Sequence, residues 1–392
     1  MRRKAVMRGV QIGRVPASLF PEYRLQQIFD GYKWDYQSSE QPTISDEVVL
    51  LDDNNANFLI EASERLYAET VALETEIRKS KALLTELGFS DKLVELLYTS
   101  NYQPDKHVRL MRFDFHPTTT GWKVSEVNSD VPAGFQEASL HPLFAAPHFP
   151  GYQPLEHFAE SLHGELSSRL VNPATVAYLY DSHTVEDSQL LRFLGNHLAG
   201  HGFGQMHVEP NQLNWHGNQV QDADAIVRHY PAEWLEYLPS TALEAYFNSE
   251  TVSANHPVAV IAQSKRLPLI WDKTDVEPKT WKTLLPPTKA VTKVKARNWI
   301  YKPAFGRVGE GINVPGTISI QEDKLINNTA QQNKGQWIQQ KLFKSIPVDG
   351  LHLAVGAFVI EGKFAGCFAR ASSRPIMNFT AKELPVLRRQ NV

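Results

Sequence analysis

Residues Trp299 to Val314 read WIYKPAFGRVGEGINV, a lysine at the end of an apolar run followed at once by a glycine-rich loop. Trp299, Ile300 and Tyr301 predict a buried strand, and Ile312 to Val314 predict the strand after it. Between them Gly306, Gly309 and Gly311 free the backbone to fold over a ligand, because glycine accepts positive φ and lets N–H groups approach closely. Lys302, at the mouth of the loop, is placed to neutralise phosphate charge. No Lys-Ser/Thr pair follows the glycines, so this is not the common phosphate-binding loop, and it is not a strand–loop–helix dinucleotide fingerprint. The expectation is a β-loop-β nucleotide lid. Taken alone, the stretch reads equally well as a glycine-rich hairpin with a solvated lysine.

A second stretch decides between these. Residues 109–132 read RLMRFDFHPTTTGWKVSEVNSDVP. Met111, Phe113 and Phe115 alternate with Arg112 and Asp114, the period of a half-buried strand. Residues 117–121 predict a turn, and Trp122 to Asn128 a second strand. Side chains two apart share a face, so Arg112 goes with Asp114 and Glu126 with Asn128. A hairpin would bring an arginine, two carboxylates and an amide to one side. Mg²⁺ takes oxygen ligands, usually one or two carboxylates together with nucleotide phosphates and water. Asp114, Glu126 and Asn128 match that demand, and arginine clamps phosphoryl oxygens in two-pronged fashion. The plain alternative is a surface hairpin with an ordinary salt bridge.

With these residues in hand, the chain resembles the synthetase half of glutathionylspermidine synthetase and the short stand-alone proteins related to it. The resemblance runs from about Tyr32 to the C-terminus. It rests on Arg112-Phe113-Asp114, on Gly121-Trp122-Lys123 leading to Glu126-Val127-Asn128-Ser129-Asp130, on Lys302-Pro303 with Gly306-Arg307, and on Trp337-Ile338-Gln339-Gln340. Eukaryotic-type glutathione synthetase is a more distant resemblance. The family implies an α/β fold of α+β character, an ATP-grasp fold whose metal-ligand strands precede its nucleotide lysines. It implies an ATP- and Mg²⁺-dependent ligase that joins a carboxylate, glutathione or another peptide or acid, to an amine through an acyl phosphate.

Carried over by position, the resemblance implies that Asp114, Glu126 and Asn128 hold Mg²⁺ and that Arg112 contacts the transferring phosphoryl group. Lys265 and Lys302 would touch ATP, and Gly306, Arg307, Gly309 and Gly311 would form the mobile lid. Gln339 and Gln340 would pass the adenine, with backbone groups around Trp337 to Gln340 facing the base. Arg370 would stabilise the acyl-phosphate and tetrahedral stage. Two departures stand out. Family members carry acidic residues after the last arginine, where this chain has Ala371-Ser372-Ser373, and the lid reads Gly306-Arg307-Val308-Gly309 in place of G-R-E-G. The loss of negative charge there counts against spermidine, a polycation, as the acceptor. The chain has no counterpart of the papain-like amidase half, and Cys367, in an apolar run, reads as a buried strand thiol. An inactive nucleotide-binding regulator of the same fold is the other reading.

At 392 residues and 42 % hydrophobic content the chain is long enough for several packed units. A net charge of −3 gives no sign of nucleic-acid binding. One cysteine suits a reducing compartment. No apolar run approaches the roughly 18 residues of a membrane span, and the basic start Met1-Arg2-Arg3-Lys4 leads into no apolar signal segment. A cytoplasmic protein is expected. We divide the chain into a helical N-terminal region (1–107), the metal-ligand hairpin with connecting helices (108–173), an α/β unit with a parallel sheet (174–262) and the nucleotide unit with its lid (263–392). Expected elements include a helix over Asn54 to Leu87, a strand at Val258 to Ile261, and a turn at Glu361-Gly362-Lys363. Gly200, Gly202 and Gly204 read as a helix end and turn. His141, His148, His229 and His256 lack metal-ligand spacing, and no serine-hydrolase motif occurs.

Overall fold

A computed structural model describes residues 7–38, 40–293 and 297–390, so the basic start at Met1 to Lys4 lies outside the described residues. Numbered along the chain, the strands that place the site begin with Val10–Arg14 (β1), Glu47–Leu51 (β2), Leu110–Thr118 (β3), Gly121–Asn128 (β4) and Tyr152–Pro154 (β5). Next come Thr175–Leu179 (β6), Gly204–Val208 (β7), Ala225–Arg228 (β8) and Val252–Ala254 (β9). The nucleotide region supplies Thr288–Ala290 (β10), Trp299–Pro303 (β11) and Trp337–Lys341 (β12). His352–Ile360 (β13), Lys363–Ser372 (β14) and Lys382–Arg389 (β15) close the chain.

The fold is a mixed α/β arrangement around one large mixed sheet, in the order β1-β2-β15-β14-β13-β3-β4, with β5 beside β15. Its middle strands are covered on both faces. Leu353, Val355, Ala357 and Val359 of β13 pack with Leu59, Ala62 and Leu66 of the Asp53–Ile77 helix, while Phe358 and Ile360 pack with Phe158 and Leu162 of the Phe158–Ser167 helix. Double coverage explains why β13 and β14 read as unbroken apolar runs, since both sets of alternating side chains are buried. A four-stranded parallel sheet, β9-β8-β6-β7, and a three-stranded antiparallel sheet, β10-β12-β11, flank it. The Ile320–Gln332 helix packs Ile326 and Ala330 against Tyr301 and Trp337 of the small sheet. The cleft between the three sheets is the principal cavity.

Several expectations need correction. The N-terminal region is not only helical, because β1 and β2 join the large sheet and β2 is buried at every residue. Of the strands after Leu342, β13 pairs with β3 of the hairpin and β14 and β15 continue that large sheet, and none of them pairs with the nucleotide strands. The long N-terminal helix breaks after Ile77, and Ser80 caps a new short helix by accepting from the Leu83 N–H. Val258 to Ile261 is helical: His256 accepts from the Val258 N–H, Pro257 opens the turn, and this capping overrides the β-branched run. The fourth parallel strand is Val252–Ala254 instead.

Ile312 to Val314 does not form a strand either. The Tyr301 N–H, which a partner strand would have engaged, is taken by the Asn313 side-chain oxygen at 2.6 Å. The lid is therefore a loop from 304 to 319 that returns into a helix. The Glu361–Gly362 turn and the Gly202 turn are as expected, with positive φ at each residue.

Candidate active site

Regular alternation along β4 would put Trp122, Val124, Glu126 and Asn128 on one face. Trp122 and Val124 are in the core, so Glu126 and Asn128 would be forced into it as well. A β-bulge prevents this. Phe113 pairs with Val127 and Phe115 with Val124, so Asp114 alone faces Ser125 and Glu126. The extra residue resets the alternation, sends Val127 to the core and turns Glu126 and Asn128 into the cleft beside Asp114. A single bulge assembles the acidic group.

Arg112 grips Asp114 with two hydrogen bonds, Nε to Oδ1 at 2.8 Å and Nη2 to Oδ2 at 3.1 Å, and donates a third to the Ala133 carbonyl at 2.6 Å. Its stem lies across Gly356 of β13, where a Cβ would sit 2.7 Å from Arg112 Cδ. Asn128 Nδ2 donates to Asp114 Oδ2 at 3.1 Å. Glu126 pairs with Lys265 at 3.0 Å. Burial pushes the Glu126 carboxyl up, but Lys265, then Lys302, overcome this and hold it at about 2. It is ionised at any working pH.

Lys302 on β11 is 5 % exposed. Its ammonium has no ion pair among the described residues and makes one long hydrogen bond, 3.4 Å, to the Ser125 carbonyl. Burial pulls its pKa down to about 8, partly opposed by Glu126. Such an under-satisfied cation is costly unless an anion joins it. His116 is neutral, since burial lowers it to about 4. Its Nδ1 lies 3.0 Å from the Leu353 carbonyl and so carries the proton, leaving Nε2 to accept from the Ser125 hydroxyl at 2.9 Å.

Arg112, Asp114, Glu126, Asn128, Lys302, Gly306, Arg307, Gly309 and Arg370 all line one cleft of about 990 Å³. Lys265 lines a small adjoining pocket and donates to the Gly306 carbonyl at 2.7 Å, holding the base of the lid. Arg307 crosses the cleft to Glu233 at 2.5 Å and lies over the Trp234 ring. Arg370 donates to the Asn378 carbonyl at 2.6 Å. Gly311 packs under the lid against Trp337 and Pro303.

Gln339 and Gln340 do not fit their expected place. Neither side chain lines the cleft, and they donate to Thr292 and Thr288. Their strand is the centre of its sheet, bonded to β10 and β11 on both sides, so its backbone groups are spent in the ladder. The segment that lines the cleft comes just after, at Lys341 to Ser345.

The far end of the cleft is acidic, and sequence reading missed it. Lys33, 1 % exposed, meets Asp35 at 2.7 Å, Glu137 at 3.4 Å and also Glu383. Burial lowers the lysine, but Glu383, Glu137 and Asp35 together raise its pKa well above the ordinary value. Burial, then Glu383, drives the Glu137 carboxyl well up. Glu186 and Asp187 face the same end from the start of the Val185–Gly200 helix. No local motif announces these residues, because four separate segments supply them.

The oxygen donors Asp114, Glu126 and Asn128 fit a hard divalent ion, and the cationic Lys302 and Lys265 beside them fit the phosphates such an ion accompanies. Among the described residues no helix is long and apolar enough to cross a membrane. No curated protein matches this chain. Among solved structures it is similar to a putative gamma-glutamylcysteine synthetase from Methylobacillus flagellatus KT, at 11 % identity and a TM-score of 0.48, covering 78 % of this chain and 86 % of that one. The model of glutathionylspermidine synthase preATP-grasp proteins matches residues 20–387. That match takes in both the cation-lined and the acid-lined ends of the cleft, and the chain belongs to the glutathionylspermidine synthase preATP-grasp family, a family of ligases.

Proposed function

We propose that this protein is an ATP-dependent carboxylate–amine ligase of permuted ATP-grasp type. The observation that carries the reading is Lys302, a buried ammonium without an ion-pair partner among the described residues, facing Asp114 and Glu126 across one cleft. A carboxylate is a poor electrophile. One of its oxygens attacks the γ-phosphorus of ATP, the bond to ADP breaks, and an acyl phosphate forms. The amine nitrogen then attacks the acyl carbon, the C–O bond to phosphate breaks, and the amine gives up a proton. Most of the protein's contribution is positioning and charge neutralisation.

Asp114, Glu126 and Asn128 would hold Mg²⁺, which when bound supplies positive charge against the phosphate oxygens. Lys302 and Lys265 face the nucleotide phosphates, and Lys265 ties that function to lid position through Gly306. Arg112 reaches the transferred phosphoryl group from the middle of the cleft. Arg370, nearer the acidic end, serves the oxyanion of the second step. The lid, bridged to Glu233 through Arg307, keeps water from the acyl phosphate. The acidic end takes the acceptor amine. Because Lys33 already occupies part of its charge, an amine with fewer positive charges than spermidine suits it better.

The test is phosphate release from ATP against a panel of acids and amines that includes glutathione and spermidine. Release that depends on both an acid and an amine is the expected result, and ATP binding without release across the panel would favour a regulatory protein. In the active pair, Asp114→Ala and Glu126→Ala should each lower turnover about 10²- to 10³-fold in a folded protein. Unchanged turnover in the folded double variant sinks the metal assignment.

A further inference from the structure

Well away from the cleft, the Phe158–Ser167 and Val185–Gly200 helices face each other behind the parallel sheet. His197 lies in the last turn of the second helix and His201, four residues on, is the residue that caps its end, so the two rings come to one side. Glu160 reaches them from the first helix: its Oε1 lies 3.3 Å from His197 Nε2 and 3.4 Å from His201 Nε2. The three ligand atoms all fall within 4.8 Å of one another. His197 Nε2 is buried and makes no hydrogen bond among the described residues, so the group is not a satisfied polar cluster. His163 stacks on the His201 ring at 3.9 Å between centroids, and His157 stacks on His197 at 5.4 Å, which fixes both imidazole planes.

We propose that Glu160, His197 and His201 form a binding site for a borderline divalent transition ion of the Zn²⁺ class. Zinc bonds of about 2.0–2.1 Å in a tetrahedron place neighbouring ligand atoms about 3.3–3.4 Å apart. The two Glu160–histidine separations match that edge. The donor set, two imidazoles and one carboxylate, suits Zn²⁺ and disfavours Mg²⁺, which takes oxygen ligands and keeps its waters. Three protein ligands leave a fourth position for water or for another donor. The ion would pin the last turn of a helix whose first turn carries Glu186 and Asp187 into the cleft, so the site acts as a structural clip.

The test is titration of Zn²⁺ into the tag-free chain in excess Mg²⁺, which keeps the oxygen-donor site filled, followed by calorimetry and thermal melting. One Zn²⁺ per chain and a raised melting temperature are expected. His197→Ala and His201→Ala should each weaken binding at least about 10- to 100-fold, no less than the loss seen when an outer partner of a metal ligand is removed. His201 and Glu160 are partly exposed, so His201→Ala and Glu160→Gln are expected to stay folded without metal, as circular dichroism would report. Absence of one-to-one uptake, displacement by Mg²⁺, or undiminished affinity in a folded His201→Ala variant overturns the proposal.

Discussion

Lys302 is the residue on which the site's chemistry turns, and its state is an electrostatic statement. Each pKa unit of depression corresponds to about 1.4 kcal/mol held against the charged form. An apolar side chain of similar length removes that cost, so Lys302→Met should raise stability by about 1–3 kcal/mol. The same change should weaken ATP binding by about 100-fold or more, because charge-assisted contacts to phosphate are lost. Calorimetric ATP binding beside urea unfolding checks both, and a variant that loses stability while keeping ATP affinity sinks the assignment. A pH dependence follows with a definite sign. With the free amine titrating at about 8, the ammonium is present below that pH and lost above it. The ATP dissociation constant should stay level below pH 8 and climb toward about tenfold per unit above it. In Lys302→Met this climb should vanish. At this scale much of the cation end was legible, because Lys302, Arg112 and Asp114 sit in strong local patterns. Lys33 was not, since nothing in Tyr32-Lys33-Trp34-Asp35 predicts burial between two distant acids, Glu137 and Glu383.

Elements were legible where one local rule acted without competition, and misread where a side chain replaced a backbone partner. The Glu361–Gly362 turn follows from its glycine, which accepts positive φ. The strand expected at Ile312 to Val314 fails because Asn313, 1 % exposed, accepts from the Tyr301 N–H and donates to Asp323 at 2.8 Å, doing a strand's work with an amide. The bulge at Ser125–Glu126 is invisible to simple alternation, although pairing Glu126 with Asn128 still put them on the right face together. The lid is the element with the clearest mechanical prediction. Gly309 holds φ at +74°, and a Cβ there would lie 2.6 Å from the Met377 carbonyl, a backbone atom that cannot swing aside. Gly309→Ala should therefore lift the lid from the 374–379 loop and admit water. The expected outcome is a several-fold rise, on the order of 3- to 10-fold, in ATP hydrolysis uncoupled from amide formation. Parallel assays of phosphate and amide product measure the ratio, and an unchanged ratio contradicts the lid's role.

For the whole molecule, the question is what keeps the two ends of the cleft in register, since Lys302 rides on the small sheet, Asp114, Glu126 and Glu383 on the large one, and Glu186 and Asp187 on a helix beside the parallel one. Sequence reading found the parallel sheet and the Arg109 to Asn128 hairpin, but neither the extent of the large sheet nor the seam between them. Asn255 donates its amide to the carbonyls of Leu110, Ser129 and Asp130, joining the end of β9 to the hairpin. Beside it Asp130, wholly buried just past β4, accepts from Arg228 at the end of β8 and from the Ala232 N–H at 2.8 Å. The pair sits at 0 % and 1 % side-chain exposure, so neither charge can fall back on water. Arg228→Met leaves the Asp130 carboxylate buried with one backbone donor, and the loss should be about 3–5 kcal/mol. Arg228→Met combined with Asp130→Asn removes the stranded charge and should recover most of that loss. Urea unfolding of the parent protein and these two variants reads the loss and the recovery directly. If the single Arg228→Met change costs less than about 1 kcal/mol, the size of an exposed pair, then this seam is not what aligns the sheets around the cleft.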